Sequence, residues 1–173
     1  MRDEKINIRG VSFKMEINII AVGKIKENYI QNGINNYVKR MQRFSEVNMD
    51  EVKAEKIKEN LSAAQMEQVK QKEGERVLSK IPDNNYIIAL SVKGKPMTSK
   101  GLAKSIQNLQ VQGHSSITFL VGGSLGLSDE VLEQADYTLS LSHMTFTHQM
   151  IRLILLEQIY RAFKIINGEP YHR

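Results

Sequence analysis

The sequence predicts an α/β protein built on a mainly parallel, doubly wound sheet. Three observations predict it. Apolar runs rich in Ile, Leu and Val recur at residues 15–22, 86–90 and 117–121. Stretches with apolar residues three or four apart, the period of a helix resting on a core, lie between such runs. The order is strand then helix five times over, without an internal repeat or a flexible linker.

Taken in order, MEINIIAV (15–22) is the first strand. Ile30, Ile34, Tyr37, Met41 and Phe44 then fall on one helical stripe. Residues 46–52 alternate weakly and read as a second strand. A charged helix over 62–80 follows, with apolar positions at Met66, Val69, Val77 and Ile81, and Pro82-Asp83-Asn84 ends it. The strand 86–91 leads into the loop VKGKPMTS and a helix from Thr98 or Ser99. Residues 117–121 lead into a glycine loop and a helix capped by Ser128, with Asp129 and Glu130 in its first turn. Residues 137–141 lead into SHMTFTH and the long final helix.

Composition narrows the chemistry. A chain of 173 residues suits one substantial core. It has no cysteine, which removes disulfides, thiolate zinc sites and cysteine nucleophiles, and which fits a reducing cytoplasm without requiring one. No apolar stretch approaches the roughly 18 residues of a spanning helix, so no membrane role is expected. The formal charge of +5 permits an anionic partner if folding gathers Lys24, Lys26, Lys39, Arg40, Arg43, Lys93 and Lys95 onto one face.

In an open parallel sheet, ligands bind beyond the carboxyl ends of the strands. The loops after Leu90, Val121 and Leu141 therefore converge on one candidate pocket. Gly122-Gly123-Ser124-Leu125-Gly126 satisfies the nucleophile-elbow pattern of serine hydrolases, with Asp136 and His148 following in hydrolase order. An elbow serine, however, sits where a strand runs straight into a helix, and the helix cap here is Ser128, four residues later. The other reading is a cradle: Gly122 and Gly123 permit close main-chain approach, and residues 140–146 supply amides, hydroxyls and apolar surface suited to an adenine and its ribose. A dinucleotide fingerprint and a Walker loop are both missing, and His143 and His148 lack the clustered acids of a metal site.

The final helix is apolar around most of its circumference, through Met150, Ile151, Leu153, Ile154, Leu155, Leu156, Ile159 and Phe163. At about 100° per residue, Glu157, Arg161 and Lys164 share a polar face, with His148 and Arg152 roughly opposite. One sheet cannot cover such a helix, so either further elements of the chain or a second copy must. The shortness of the chain favours a homodimer with this helix in its interface.

LVGGSLGLSDEVL, followed by LSLSHMTFTHQMIRLILLEQIYRAFKIINGEPYHR, closely resembles the bacterial SPOUT-class methyltransferases that modify N3 of a pseudouridine in 23S ribosomal RNA. The likeness runs from Met15 to Arg173 as a single domain, leaving residues 1–14 as an extension. It implies a deep trefoil knot near the C-terminus, a homodimer, the ribosome as partner and S-adenosylmethionine as methyl donor, without a metal. Carried over by motif, donor contacts come from Leu90, Gly122, Leu141, Ser142, His143, Met144, Thr145 and Phe146. Arg152, Arg161, Tyr171 and His172 become candidates for gripping RNA and the target base. Glu157 could orient Arg161 or accept the proton, with His172 as the rival base. Where the family usually has proline before His148, this chain has Thr147, whose hydroxyl can cap the helix instead. A serine hydrolase using Ser124 and a non-catalytic RNA-binding protein are the rival classes.

Arg9-Gly10 can be encoded by a purine-rich stretch resembling a ribosome-binding site, four codons before Met15. The natural protein is therefore expected to begin at Met15. Intact-mass measurement of native protein checks this, and residues 1–14 found in place would refute it.

Overall fold

The computed structural model describes residues 14–171. Its elements are β1 (Glu16–Val22), α1 (Asn28–Met41), β2 (Glu46–Val52), α2 (Ala63–Leu78), β3 (Tyr86–Pro96), α3 (Ser99–Val111), β4 (Ser116–Val121), α4 (Asp129–Glu133), β5 (Tyr137–Ser140) and α5 (Met150–Ile166). The five strands form one sheet in the order β2-β1-β4-β3-β5, with every pairing parallel. The alternation of strand and helix is thus as expected, and no helix among the described residues is long and apolar enough to cross a membrane.

Both faces of the central strands are covered, which is why β1 and β4 are mostly apolar and buried along nearly their whole length instead of at alternate positions. Ile17, Ile19, Ala21, Ile117, Phe119 and Val121 point into the larger core under α1, α3 and α5. Ile20, Val22 and Leu120 point the other way, into a smaller core with Val77 of α2 and Val131 of α4. The layers are unequal. In α2 the expected stripe is only partly realised: Val77 is buried, but Met66 is 36% exposed, and the other buried positions are Glu73 and Gly74. The N-terminal half of this helix projects beyond the sheet, held by a complete capping box between Ser62 and Gln65.

β3 runs past the expected end at Ser91 to Pro96. Leu139 of β5 pairs with Leu90 and again with Lys95, so the intervening residues arch out of the ladder. Gly94 makes the return possible: a Cβ there would stand 2.7 Å from the Leu139 carbonyl carbon and 2.8 Å from the Thr138 oxygen. Periodicity could not reveal this, because the pairing depends on a missing side chain.

α5 is covered more fully by its own chain than its apolar circumference suggested. It lies between α1 and α3, with Leu153 against Gly33 and Gln158 bonded to Ser99. Leu155, Leu156, Ile159 and Phe163 are buried, while Ile151, Leu153 and Ile154 remain half-buried. Thr147 caps the helix as anticipated: its Oγ1 accepts from the Met150 amide at 3.2 Å and its carbonyl from Ile151. Replacing Ile159 by Ala leaves a cavity in the larger core and should lower the unfolding free energy by about 2–5 kcal/mol, measured by urea titration.

Candidate active site at the carboxyl rim of the sheet

Parallel strands deliver all their carboxyl ends to one rim, and a cavity of about 890 Å³ opens there. The three loops expected to converge do so. Leu90, Gly122, Leu141, Ser142, Met144, Thr145 and Phe146 all line the cavity. His143 is exposed on the same loop and is not among the lining residues. Glu27, Tyr29 and Lys70 contribute from α1, its approach and α2, positions that carried no motif signal.

The glycine loop is a tight turn in which Gly126 donates to the Gly123 carbonyl at 3.0 Å. Gly122 has no room for a side chain, since a Cβ would stand 2.6 Å from the Gly126 carbonyl carbon and 2.8 Å from the Leu127 nitrogen. The neighbouring loop is shaped by its serines: Ser140 donates to the Ser142 carbonyl, and the Ser142 hydroxyl accepts from the Met144 amide. Ser124 also lines the cavity. Asp136 immediately precedes β5 and binds the Ile87 amide at the start of β3, at the amino end of the sheet. It is therefore at the wrong end to complete a triad with Ser124 and His148.

Arg152 does not occupy the place expected of an RNA-gripping residue. It is 0% exposed. Its Nη2 donates to the Val22 and Gly23 carbonyls at 2.6 and 2.9 Å, its Nη1 pairs with Glu51 at 3.1 Å, and its Nε donates to the His148 carbonyl. Burial lowers its pKa, and the Glu51 carboxylate opposes that shift. Glu51 also accepts from the Ile25 amide, and Gln149 accepts from the Lys26 and Glu27 amides. The start of α5 is thus fastened to the β1–α1 loop and to the ends of β1 and β2. Helical period set Arg152 opposite the Glu157–Arg161–Lys164 face, but it could not show that the carbonyls at the end of β1 lie against it.

Glu157, Arg161 and Tyr171 form a separate cluster. Arg161 pairs with Glu157 one turn away and lies over the Tyr171 ring at 4.5 Å, while its buried Nε has no hydrogen-bond partner among the described residues. Tyr171 packs edge-on against Tyr160 and meets the Tyr37 hydroxyl at 3.3 Å. Burial, then the contact with Tyr37, pushes the Tyr171 hydroxyl up, so it stays protonated. His172 lies outside the described residues. Ile151 lines the cavity, and Arg161 is ten residues further along α5, about 15 Å at 1.5 Å per residue.

The basic residues divide in the same way. Lys24 and Lys26 follow β1 and Lys93 lines the cavity, whereas Lys39, Arg40 and Arg43 sit at the far end of α1. There Arg40 lies over Tyr37 and Tyr160, and Arg43 pairs with Glu169.

Two outcomes follow from this geometry. Replacing Arg152 by Ala strands the Glu51 carboxylate and three carbonyls, and should lower the unfolding free energy by about 3–5 kcal/mol in urea titration. Burial, then the charges of Arg152 and Lys26, pushes the His148 imidazole below its ordinary range. A base depressed in the fold contributes stability that is present above its unfolded pKa and lost as pH falls through the folded value. In an NMR titration His148 should therefore protonate at lower pH than histidine in a peptide.

The chain matches the family model described as predicted SPOUT methyltransferase over residues 15–172. It is 67% identical over 159 residues to a ribosomal RNA large subunit methyltransferase H from Halothermothrix orenii, and 55% identical to the protein of that name from Clostridioides difficile. Each match covers 92% of this chain and all of the relative. Among solved structures, a probable methylase family protein from Haemophilus influenzae shares the fold, with a TM-score of 0.50 and 13% identity over 92% of this chain and 70% of that one. With the rim cavity, the glycine turn and a family match across nearly the whole chain, the protein belongs to the SPOUT methyltransferases.

Proposed function

We propose that this protein transfers a methyl group from S-adenosylmethionine to N3 of a pseudouridine in the 23S RNA of the assembled ribosome, as a cytoplasmic homodimer built from residues 15–173. The observation that carries the reading is the meeting of three loops on a cavity where Gly122 has space for main chain only. The residues fit such a donor. Leu90, Leu139, Leu141 and Met144 offer apolar walls to an adenine, and loop amides and serine hydroxyls surround the ribose position. The threaded C-terminus expected of the family belongs to the same reading.

Bound there, the donor supplies a methyl group on a sulfonium that leaves as a neutral thioether. The protein's task is alignment and proton removal. N3 of pseudouridine is an imide nitrogen, so its proton must depart at or near transfer. Glu157 or His172 accepts it, and the Arg161 guanidinium stabilises charge developing on the flanking carbonyls. Tyr171 holds Arg161 in place and, kept protonated, serves as a hydrogen-bond donor.

Because the Arg161 cluster and the cavity are about 15 Å apart along one helix, the cluster that serves a given cavity comes from the second copy. The half-buried Ile151, Leu153 and Ile154, together with exposed Met144 and Phe146 at the cavity mouth, supply apolar surface for that contact. Lys24, Lys26 and Lys93 face the phosphate backbone around the opening.

Calorimetry with S-adenosylmethionine and methyl transfer to pseudouridine-containing ribosomes test the proposal. Donor binding with turnover is the expected result, and ribosome affinity without donor binding would overturn it. Arg161→Ala should lower kcat by about 10² with little change in donor affinity. Mixing Gly122→Val chains with Arg161→Ala chains should restore about a quarter of wild-type turnover, since half the dimers carry one intact composite site. No recovery would remove the shared site.

A further inference from the structure

The glycine loop is supported from behind by two consecutive residues of α2. Gly74 faces Ser128, whose Oγ occupies the space a Cβ would need. Glu73 faces Gly123, where a Cβ would stand 3.1 Å from Glu73 Oε2 and 3.0 Å from Val22 Cγ1. Glu73 is 3% exposed. Its Oε1 accepts from the Glu55 amide at 2.9 Å, while Oε2 is buried with no hydrogen-bond partner among the described residues. Filling this position with an apolar side chain would avoid the cost of an unpaired buried oxygen, and an orphan of this kind calls for a reason.

We infer that Glu73 is a positioning residue for the glycine loop, bracing Gly123 from behind so that the Gly122–Gly126 turn keeps the shape the methyl donor requires. The inference rests on the proposed function of that loop. Burial pushes the Glu73 carboxyl up, with the Glu55 amide opposing the shift. The charged groups facing it are Glu55, from the segment after β2, and Arg76, from α2 itself, which are paired with each other. Val22, Gly123 and Ser128, on the other adjoining elements, carry no charge. Oε2 lies 3.1 Å from where a Gly123 Cβ would stand, and as a neutral acid it can donate as well as accept. Ionised, it can only accept, against a turn whose backing at Gly123 carries no charge.

The sign of the pH effect follows. A carboxyl raised in the fold contributes stability that is present below its unfolded pKa and lost as pH rises through the folded value. The test uses the full chain as wild type, Glu73→Gln and Glu73→Leu. Thermal unfolding without donor, amide exchange at 123–126 and the Kd for S-adenosylmethionine are measured across pH. Wild type should lose stability and donor affinity as pH rises through the titration of Glu73. Glu73→Gln should lose the fall of both at high pH and keep wild-type affinity at low pH, where the His148 titration remains. Glu73→Leu should fold, exchange faster in the turn and bind the donor about tenfold more weakly. Wild-type exchange and Kd in Glu73→Leu would overturn the inference, as would an unchanged pH profile in Glu73→Gln. If the leucine variant does not fold, the glutamine profile decides. If wild type binds no donor, the proposed function fails, and exchange in the turn still judges Glu73.

Discussion

The arrangement depends on a single guanidinium. The carboxyl ends of β1 and β2 present carbonyls and a carboxylate that a closed sheet would leave unsatisfied, and Arg152 answers them from the first turn of α5. An arginine buried this deeply is tolerated only when paired and hydrogen-bonded on several sides. Because Arg152 also bonds to the His148 carbonyl, the last cavity loop is indexed directly to the central strand. Gln149 does the same for the β1–α1 loop. The cavity walls therefore move with the core, which is the condition for aligning a methyl group with an acceptor.

Much of this was legible in the sequence because it obeys local rules. The buried runs of β1 and β4, the cap at Ser128, the glycine turn and the three-loop convergence each follow from propensity, capping or parallel topology. What escaped depended on distant partners. The return of β3 to pair with β5 needs Gly94 to pass the Leu139 backbone, and no periodicity records that. Arg152 lies opposite the polar face of α5, and its partners emerge only when the ends of β1 and β2 are placed beside it. α1 and α3 cover part of α5 from its flanks, a placement the helical period could not show. For the site, the sequence supplied the loops that line the cavity almost completely. It gave the members of the Arg161 cluster only through family likeness, and it missed Tyr37, which anchors that cluster from α1.

The same helix thus has two different ends. Its N-terminal turn is part of the frame, with its polar groups bonded inward. Its C-terminal half meets Tyr37 in an aromatic cluster of Tyr37, Tyr160 and Tyr171, where tilted and edge-on rings and the Arg161 cation hold Tyr171 in place. Aromatic side chains have few rotatable bonds, so fixing the tail this way costs little conformational entropy compared with a chain of lysines. Separation of frame from reactive groups lets one long element serve both without compromising either.

The unequal layers have a kinetic consequence. α4, at five residues, is too short to persist unaided, and the N-terminal half of α2 has no buried residue. Local opening proceeds where few apolar contacts must be broken, so the thin side of the sheet is the natural place for transient release. That side backs the glycine turn. Opening of the thin layer would loosen the backing of the glycine turn while the thicker layer keeps its packing.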